Sequence, residues 1–150
     1  MSAKIPPPIV MLLCAVMMYA ADRLLPMGEV GFLQSRPIGS FIVLVGIAIN
    51  IAAAVSFRKA GTTISPLSPE KASSLVDTGL FARSRNPIYV AMAIILVGVA
   101  FLLGNAISLA GVPLFVWYIT QFQIKPEEAA LGQVFGDTYA EYCKRVRRWI

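Results

Sequence analysis

The sequence predicts an all-α integral membrane protein of about four transmembrane helices, the last two a tight hairpin, followed by a cytoplasmic amphipathic C-terminal helix. Three observations carry that prediction. Apolar residues fill 57% of the 150 positions and charged residues only 14%, against about 25% charge in soluble domains. The apolar residues gather into long runs, Ile9 to Leu25, Ile38 to Phe57 and Ile88 to Phe122, and a spanning helix needs roughly 17 to 25 of them. Lys and Arg lie mainly between and after the runs, where they set orientation. No Ser/Gly-rich tether divides the chain, so residues 1–150 read as a single domain. Residues 1–57 supply two N-terminal helices, and residues 58–150 supply a polar loop, the hairpin and a tail.

The first run follows Lys4 and Pro6-Pro7-Pro8 and reaches spanning length only by including Asp22 and Arg23. A cleaved signal peptide is the rival reading, but its basic flank is weak and the small-residue cleavage pattern is poor. The second run carries no charge at all, and Asn50 is its one clearly polar side chain. Gly46 and Asn50, then Ala48 and Ala52, stand four apart, the spacing of small residues that lets helices approach closely in lipid. The third run breaks at Gly104-Asn105, a turn pair. Unbroken, about 35 residues at 1.5 Å each would overshoot the ~30 Å hydrocarbon core, which favours a hairpin.

The loop from Arg58 to Asn86 holds Arg58, Lys59, Lys71, Arg83 and Arg85 against Glu70 and Asp77. The tail adds Lys125, Lys144, Arg145, Arg147 and Arg148, whereas Arg23 and Arg36 are balanced by Asp22 and Glu29 between the first two helices. The positive-inside rule therefore places loop, tail and both termini in the cytoplasm, and the small size suggests a bacterial inner membrane. In the tail, Pro126 suits the first position of a new helix, with Glu127 and Glu128 complementing its dipole. Gly136-Asp137 interrupts that helix. From Thr138, Tyr139, Tyr142, Val146 and Trp149 interleave with basic residues as an amphipathic surface helix.

The net charge of +5 thus reports orientation, not nucleic-acid binding. The chain has no histidine, which removes the commonest general base and metal ligand. Cys14 and Cys143 belong to different environments and form no C-x-x-C pair. Neither a metal site nor Ser-His catalysis is expected.

Three segments exceed what membrane packing needs: Gly61-Thr62-Thr63-Ile64-Ser65-Pro66, the stretch from Leu75 through Tyr89, and Pro126-Glu127-Glu128. In structural terms, Arg85-Asn86-Pro87 reads as a basic anchor, a helix N-cap and a proline at the first helical position. The basic cluster of the tail reads, by itself, as a membrane anchor.

Taken in order, Leu75-Val76-x-x-Gly79, Arg85-Asn86-Pro87-x-Tyr89, an apolar hairpin, Glu127-Glu128-x-x-Leu131, Phe135-Gly136-x-x-Tyr139 and Val146-Arg147-Arg148 resemble the isoprenylcysteine carboxyl methyltransferase and phospholipid methyltransferase superfamily. The resemblance covers about Gly61 to the C-terminus. It implies an S-adenosylmethionine site without a Rossmann fold, formed where the loop before the hairpin meets the tail after it. Leu75, Val76, Gly79 and Phe81 would line the cofactor. Asn86, Pro87, Ile88 and Tyr89 would occupy the motif that usually reads Arg-His-Pro-x-Tyr, and Glu127 would bind from the tail. Arg85 and Glu128 are the expected catalytic pair, with Arg85 or Arg83 meeting a carboxylate and Glu127 or Glu128 meeting cationic or hydroxyl groups. Asn86 departs from the usual histidine and cannot titrate.

The expected activity is S-adenosylmethionine-dependent methylation of a membrane lipid or lipophilic small molecule. Gln123 is the expected substrate-binding residue, standing where carboxyl-methylating members place an arginine four residues before the glutamate. That departure leaves a phospholipid headgroup amine or a small thiol as alternative acceptors. A non-enzymatic assembly factor or transporter subunit is the reading from another class.

Overall fold

The computed structural model describes residues 5–25, 34–61 and 74–150, and among these every regular element is helical. The loop segment 62–73, including Thr62 to Pro66, Glu70 and Lys71, lies outside the described residues, as does Glu29. Helix α1 spans Pro7–Leu24 and α2 spans Arg36–Lys59. A short 3-10 turn at Gly79–Ala82 precedes α3, Pro87–Leu103. A second 3-10 turn, Ala106–Ala110, leads into α4, Gly111–Ile119. A π turn, Thr120–Ile124, then joins α4 to α5, Lys125–Arg145.

Proline sets the N-termini of α1, α2 and α3: Pro7, Pro37 and Pro87 lie in first turns, where the missing N–H has no partner to lose. Helix α3 ends at Gly104, whose φ of 74° is the left-handed cap that glycine adopts without penalty. Helix α1, helix α2 and the stretch from Ala106 onward are long and apolar enough to cross a bilayer, and α3 is a shorter apolar helix. The protein is an integral membrane protein. Helix α1 turns Val10, Cys14 and Met18 inward and leaves Leu12, Leu13, Val16 and Met17 on the outer face. Such an outer face fits lipid as solvent, not water.

Helix α3 is the centre of the bundle, with α2 on one side and α1 and α4 on the other. The α2–α3 seam runs through Gly39, Gly46 and Ala53, the buried residues of α2, at seven-residue spacing. A Cβ on Gly98 would lie 2.9 Å from the Gly39 carbonyl oxygen, and one on Gly46 would lie 2.9 Å from that of Ala91. Of the small residues singled out in the sequence, Gly46 is therefore in the seam, whereas Ala48 and Ala52 face outward. A four-residue spacing was the wrong register for a near-parallel seam, which repeats every seven residues. At the end of the bundle remote from Lys59, buried Asn105 donates to the Leu25 carbonyl at 3.0 Å and accepts from Ile107 N–H, and Ser108 donates to the Met18 carbonyl. Packing and such bonds hold helices together where lipid supplies no hydrophobic drive.

Two expectations for the second half need correction. No new helix starts at Pro126, because α4 winds on into α5. Within a regular α-helix the Pro126 ring would strike the Phe122 carbonyl; the π turn, in which Lys125 N–H bonds to Thr120 O, widens the backbone there. The interruption at Gly136 is present as a kink, with φ 50° and ψ −125°. The amphipathic segment, however, stops being helical at Arg145, and Val146 is extended (φ −123°, ψ 131°).

Candidate active site

The polar groups converge at the end of the bundle where α3 begins and α5 leaves the membrane. Fourteen residues of α4 and the π turn rise about 21 Å at 1.5 Å each, so Glu127 and Glu128 emerge near the surface of a ~30 Å core. Two turns of chemistry meet there. Tyr89, in the first turn of α3, donates its hydroxyl to Glu127 Oε1 at 2.8 Å, and Gln123 donates its amide to the same oxygen. Gln123 is buried and sits inside the π turn, four residues before Glu127. The two donors fix the carboxylate against α3.

Glu128 points to the other side and accepts from two arginines. Arg85 Nη2 lies 3.1 Å from Oε1, and Arg148 binds bidentately, with Nε at 3.0 Å from Oε1 and Nη2 at 2.7 Å from Oε2. The side chains of Arg85 and Glu128 are only 13% and 16% exposed, and that of Arg148 is 37% exposed. The hydrogen bonds to Glu128 push the Arg148 guanidinium above its ordinary pKa. Arg85 also donates to Cys143 Sγ, while its Nε is buried with no partner among the described residues. Arg85 is therefore no membrane anchor but an inward-facing site residue.

The loop and the tail do meet. Tyr142 donates its hydroxyl to Phe81 O at 2.7 Å, and Arg145 pairs with Asp77 at 3.2 Å. Neighbouring loop residues face different ways: Leu75 packs against the cluster of Tyr139, Tyr142 and Val146, whereas Val76 packs with Phe81 and Ala53. Phe81 stands edge-on to Phe57 at 4.9 Å. Val76 and Phe81 thus fasten the loop to α2, and only Leu75 of the expected apolar lining faces the tail. Gly79 opens the 3-10 turn with φ 61°, a conformation that excludes other residues at low cost.

Asn86 occupies the N-cap position of α3, but its side chain makes no cap. Its amide instead donates to Arg148 O at 2.9 Å. Pro87 is buried at the first helical position, and Ile88 packs against both the bundle core and the loop cluster. Among the described residues no group of acidic, Cys or His side chains could hold a metal ion. Sequence reasoning missed Arg148, Tyr142, Cys143 and Trp149 as site residues, because alternating basic and aromatic residues fit a surface helix equally well. The Val146-Arg147-Arg148 ending was the available signal.

The phospholipid methyltransferase family matches residues 35–138. The chain is 31% identical over 108 residues to protein-S-isoprenylcysteine O-methyltransferase A of Arabidopsis thaliana, covering 72% of this chain and 55% of that one. It is 40% identical over 72 residues to the protein-S-isoprenylcysteine O-methyltransferase of Schizosaccharomyces pombe, covering 48% and 30%. It is 36% identical over 73 residues to the one of Homo sapiens, covering 49% and 26%. The chain spans about half or less of the length of these three relatives. On the family match, which takes in the loop, α3 and the carboxylate pair, the chain belongs to the phospholipid methyltransferase family, in the superfamily that includes the isoprenylcysteine methyltransferases.

Proposed function

We propose that the chain is an S-adenosylmethionine-dependent integral membrane methyltransferase acting on a lipophilic acceptor, with Glu127, Glu128 and Arg85 as the polar part of the donor site. One observation carries the reading: in a chain of this family, two adjacent carboxylates are oriented at the membrane end by Tyr89 and Gln123 on one side and two arginines on the other.

The residues present fit the cofactor. It brings a sulfonium, an ammonium, hydroxyls and a carboxylate, and the site offers carboxylates and guanidinium groups in return. The buried Arg85 Nε, unpartnered among the described residues, is a donor whose desolvation costs about 1–3 kcal/mol. A ligand carboxylate would offset that cost. Leu75, Gly79, Pro87 and Ile88 would complete the walls. When bound, S-adenosylmethionine supplies an electrophilic methyl group for direct displacement by an acceptor about 3 to 3.5 Å away. The protein's own work is positioning. Tyr89 and Gln123 hold Glu127, Arg85 and Glu128 hold each other, and no histidine is needed for proton transfer.

Arg58, Lys59, Arg83, Arg85 and Lys125 all lie at the site end, which the positive-inside rule assigns to the cytoplasm; a bacterial inner membrane suits that orientation. An acceptor dissolved in the bilayer fits a chain with so little mass outside it. A neutral acceptor, such as a headgroup amine or a thiol, is the second reading, favoured by the uncharged Gln123 in the π turn. Calorimetry with S-adenosylmethionine on the detergent-purified protein tests the donor site: wild type should bind and Glu127→Ala should bind several-fold more weakly. Wild-type affinity in the variant would reject the assignment. Products formed from labelled cofactor and membrane extracts identify the acceptor.

A further inference from the structure

Beyond Arg145 the chain leaves the helix, extended at Val146 and bent again at Arg148, and almost every residue is tied to a different part of the site. Arg85 N–H donates to Arg147 O at 2.9 Å. Asn86 donates its side-chain amide to Arg148 O at 2.9 Å, and the Arg148 side chain grips Glu128. Trp149 donates its indole N–H to Thr120 Oγ1 at 3.1 Å. We infer that residues 146–149 form a latch belonging to the donor site, that Asn86 is the positioning residue that closes it, and that Arg148 is the group the latch delivers. The inference rests on the methyltransferase reading and goes beyond it, since the family match ends at residue 138.

The argument begins with Asn86. At an N-cap position its side chain would ordinarily bond within the first turn of its own helix, yet it reaches 62 residues along the chain to a carbonyl. A carbonyl oxygen accepts only, so the amide must present its N–H. The adjacent backbone bond from Arg85 gives two neighbouring ties between residues 85–86 and 147–148. Two ties fix register as well as proximity.

Register matters because these residues face different partners, and a one-residue slip would exchange which side chain meets which. In the observed register Arg148 faces Glu128, Val146 is buried beside Tyr142, and Arg147 is exposed. A slip would remove the guanidinium from the carboxylate. With Arg85 alone the pair at Glu128 is neutral. Arg148 adds a second guanidinium at Glu128, which offsets the carboxylates of the site and so favours the anionic end of a bound donor. Asn86 thus acts through the latch and not by touching the ligand.

The test uses the full chain in detergent with Trp117→Phe as background. Trp117 is an outward-facing residue of α4, and the substitution leaves Trp149 as the only tryptophan of the two. Asn86→Asp removes the donor and should raise acrylamide quenching of Trp149. It should also speed amide exchange at Arg85 roughly fivefold or more and raise KM for S-adenosylmethionine several-fold with a smaller change in kcat. Asn86→His retains a ring N–H and should restore all three readouts. Arg148→Gln should raise KM alike while leaving Trp149 quenching and Arg85 exchange near wild type, because the backbone ties remain.

A raised KM in Asn86→Asp with Trp149 undisturbed would mean that Asn86 meets the ligand directly, which overturns the latch. Opening of the tail with KM unchanged would make it a structural tail only, which overturns its role in the site. Failure of the wild type to bind S-adenosylmethionine would reject the functional reading and the latch's catalytic role with it, even if Trp149 and Arg85 still respond to Asn86→Asp.

Discussion

Replacing Glu128 by Gln removes the one carboxylate shared by two guanidinium groups, and its cost follows from how unequal those two are. The Arg85–Glu128 contact, 3.1 Å between groups 13% and 16% exposed, is largely withdrawn from water. Removing one partner of a buried pair costs roughly 3–5 kcal/mol, because a charge is left uncompensated. Arg148 is more than a third exposed, so solvent and salt screen it and its loss adds at most about 1 kcal/mol. Gln keeps the volume and one acceptor oxygen, returning about 1 kcal/mol. The net expectation is destabilisation by roughly 3 kcal/mol. With each kcal/mol worth roughly 2–4 °C in a chain of this size, thermal unfolding followed by circular dichroism in detergent should show Tm lowered by about 6–12 °C. The double variant Arg85→Met/Glu128→Leu should recover most of the loss, since apolar replacement removes the desolvation cost along with the attraction. A Tm within about 2 °C of wild type for Glu128→Gln, or a double variant no better than the single, would refute the reasoning.

Gly98→Ala should destabilise by at least 1–3 kcal/mol: the added Cβ would meet Val43 N and Gly39 O, each at 2.9 Å, and neither backbone atom can rotate away; Tm in detergent reads this directly. Tyr89→Phe removes only the hydroxyl that donates to Glu127, and should weaken S-adenosylmethionine binding roughly fivefold in calorimetry with the fold intact. Lys144→Ala should leave both Tm and cofactor affinity unchanged, because Lys144 pairs with Glu141 fully at the surface, three residues away.

How much of this was legible in the sequence divides along physical lines. Spans were legible because lipid demands long apolar runs and their ends carry prolines and charge. The meeting of loop and tail, and the candidacy of Arg85, Tyr89, Glu127 and Glu128 as site residues, came from motif order. The direction of each side chain did not. Leu75 and Val76 are neighbours in one motif, yet one packs against the tail and the other against α2 and Phe81. Pro126 signalled a helix start, and only the backbone shows that a π turn lets the helix pass through it. The tail arginines looked like an anchor because nothing local distinguishes Arg148, which faces Glu128, from Arg147, which does not. That difference arises from contacts with Glu128, 20 residues away, and with Arg85 and Asn86, some 60 residues away.

The proposal of a neutral acceptor rests on one position. In carboxyl-methylating relatives an arginine is expected four residues before the glutamate, and here that residue is Gln123, buried and donating its amide to Glu127. A neutral amide cannot give an acceptor carboxylate the charge-assisted, bidentate pair that an arginine gives. Lys125 is no substitute: two residues on, it points about 200° away, and it is bonded to Gln121 at the surface. An acceptor carboxylate brought beside Gln123 would remain poorly compensated, at several kcal/mol for a desolvated ion, whereas an amine or thiol would meet no such cost. Gln123→Arg should therefore raise carboxyl methylation of a farnesylcysteine analogue by at least tenfold while lowering turnover of neutral acceptors, with Glu127 retained as an ion-pair partner four residues on. The assay is transfer of labelled methyl from S-adenosylmethionine to each acceptor by the two proteins in parallel. Vigorous carboxyl methylation by the wild type, unchanged in Gln123→Arg, would show that Gln123 does not set the acceptor's charge.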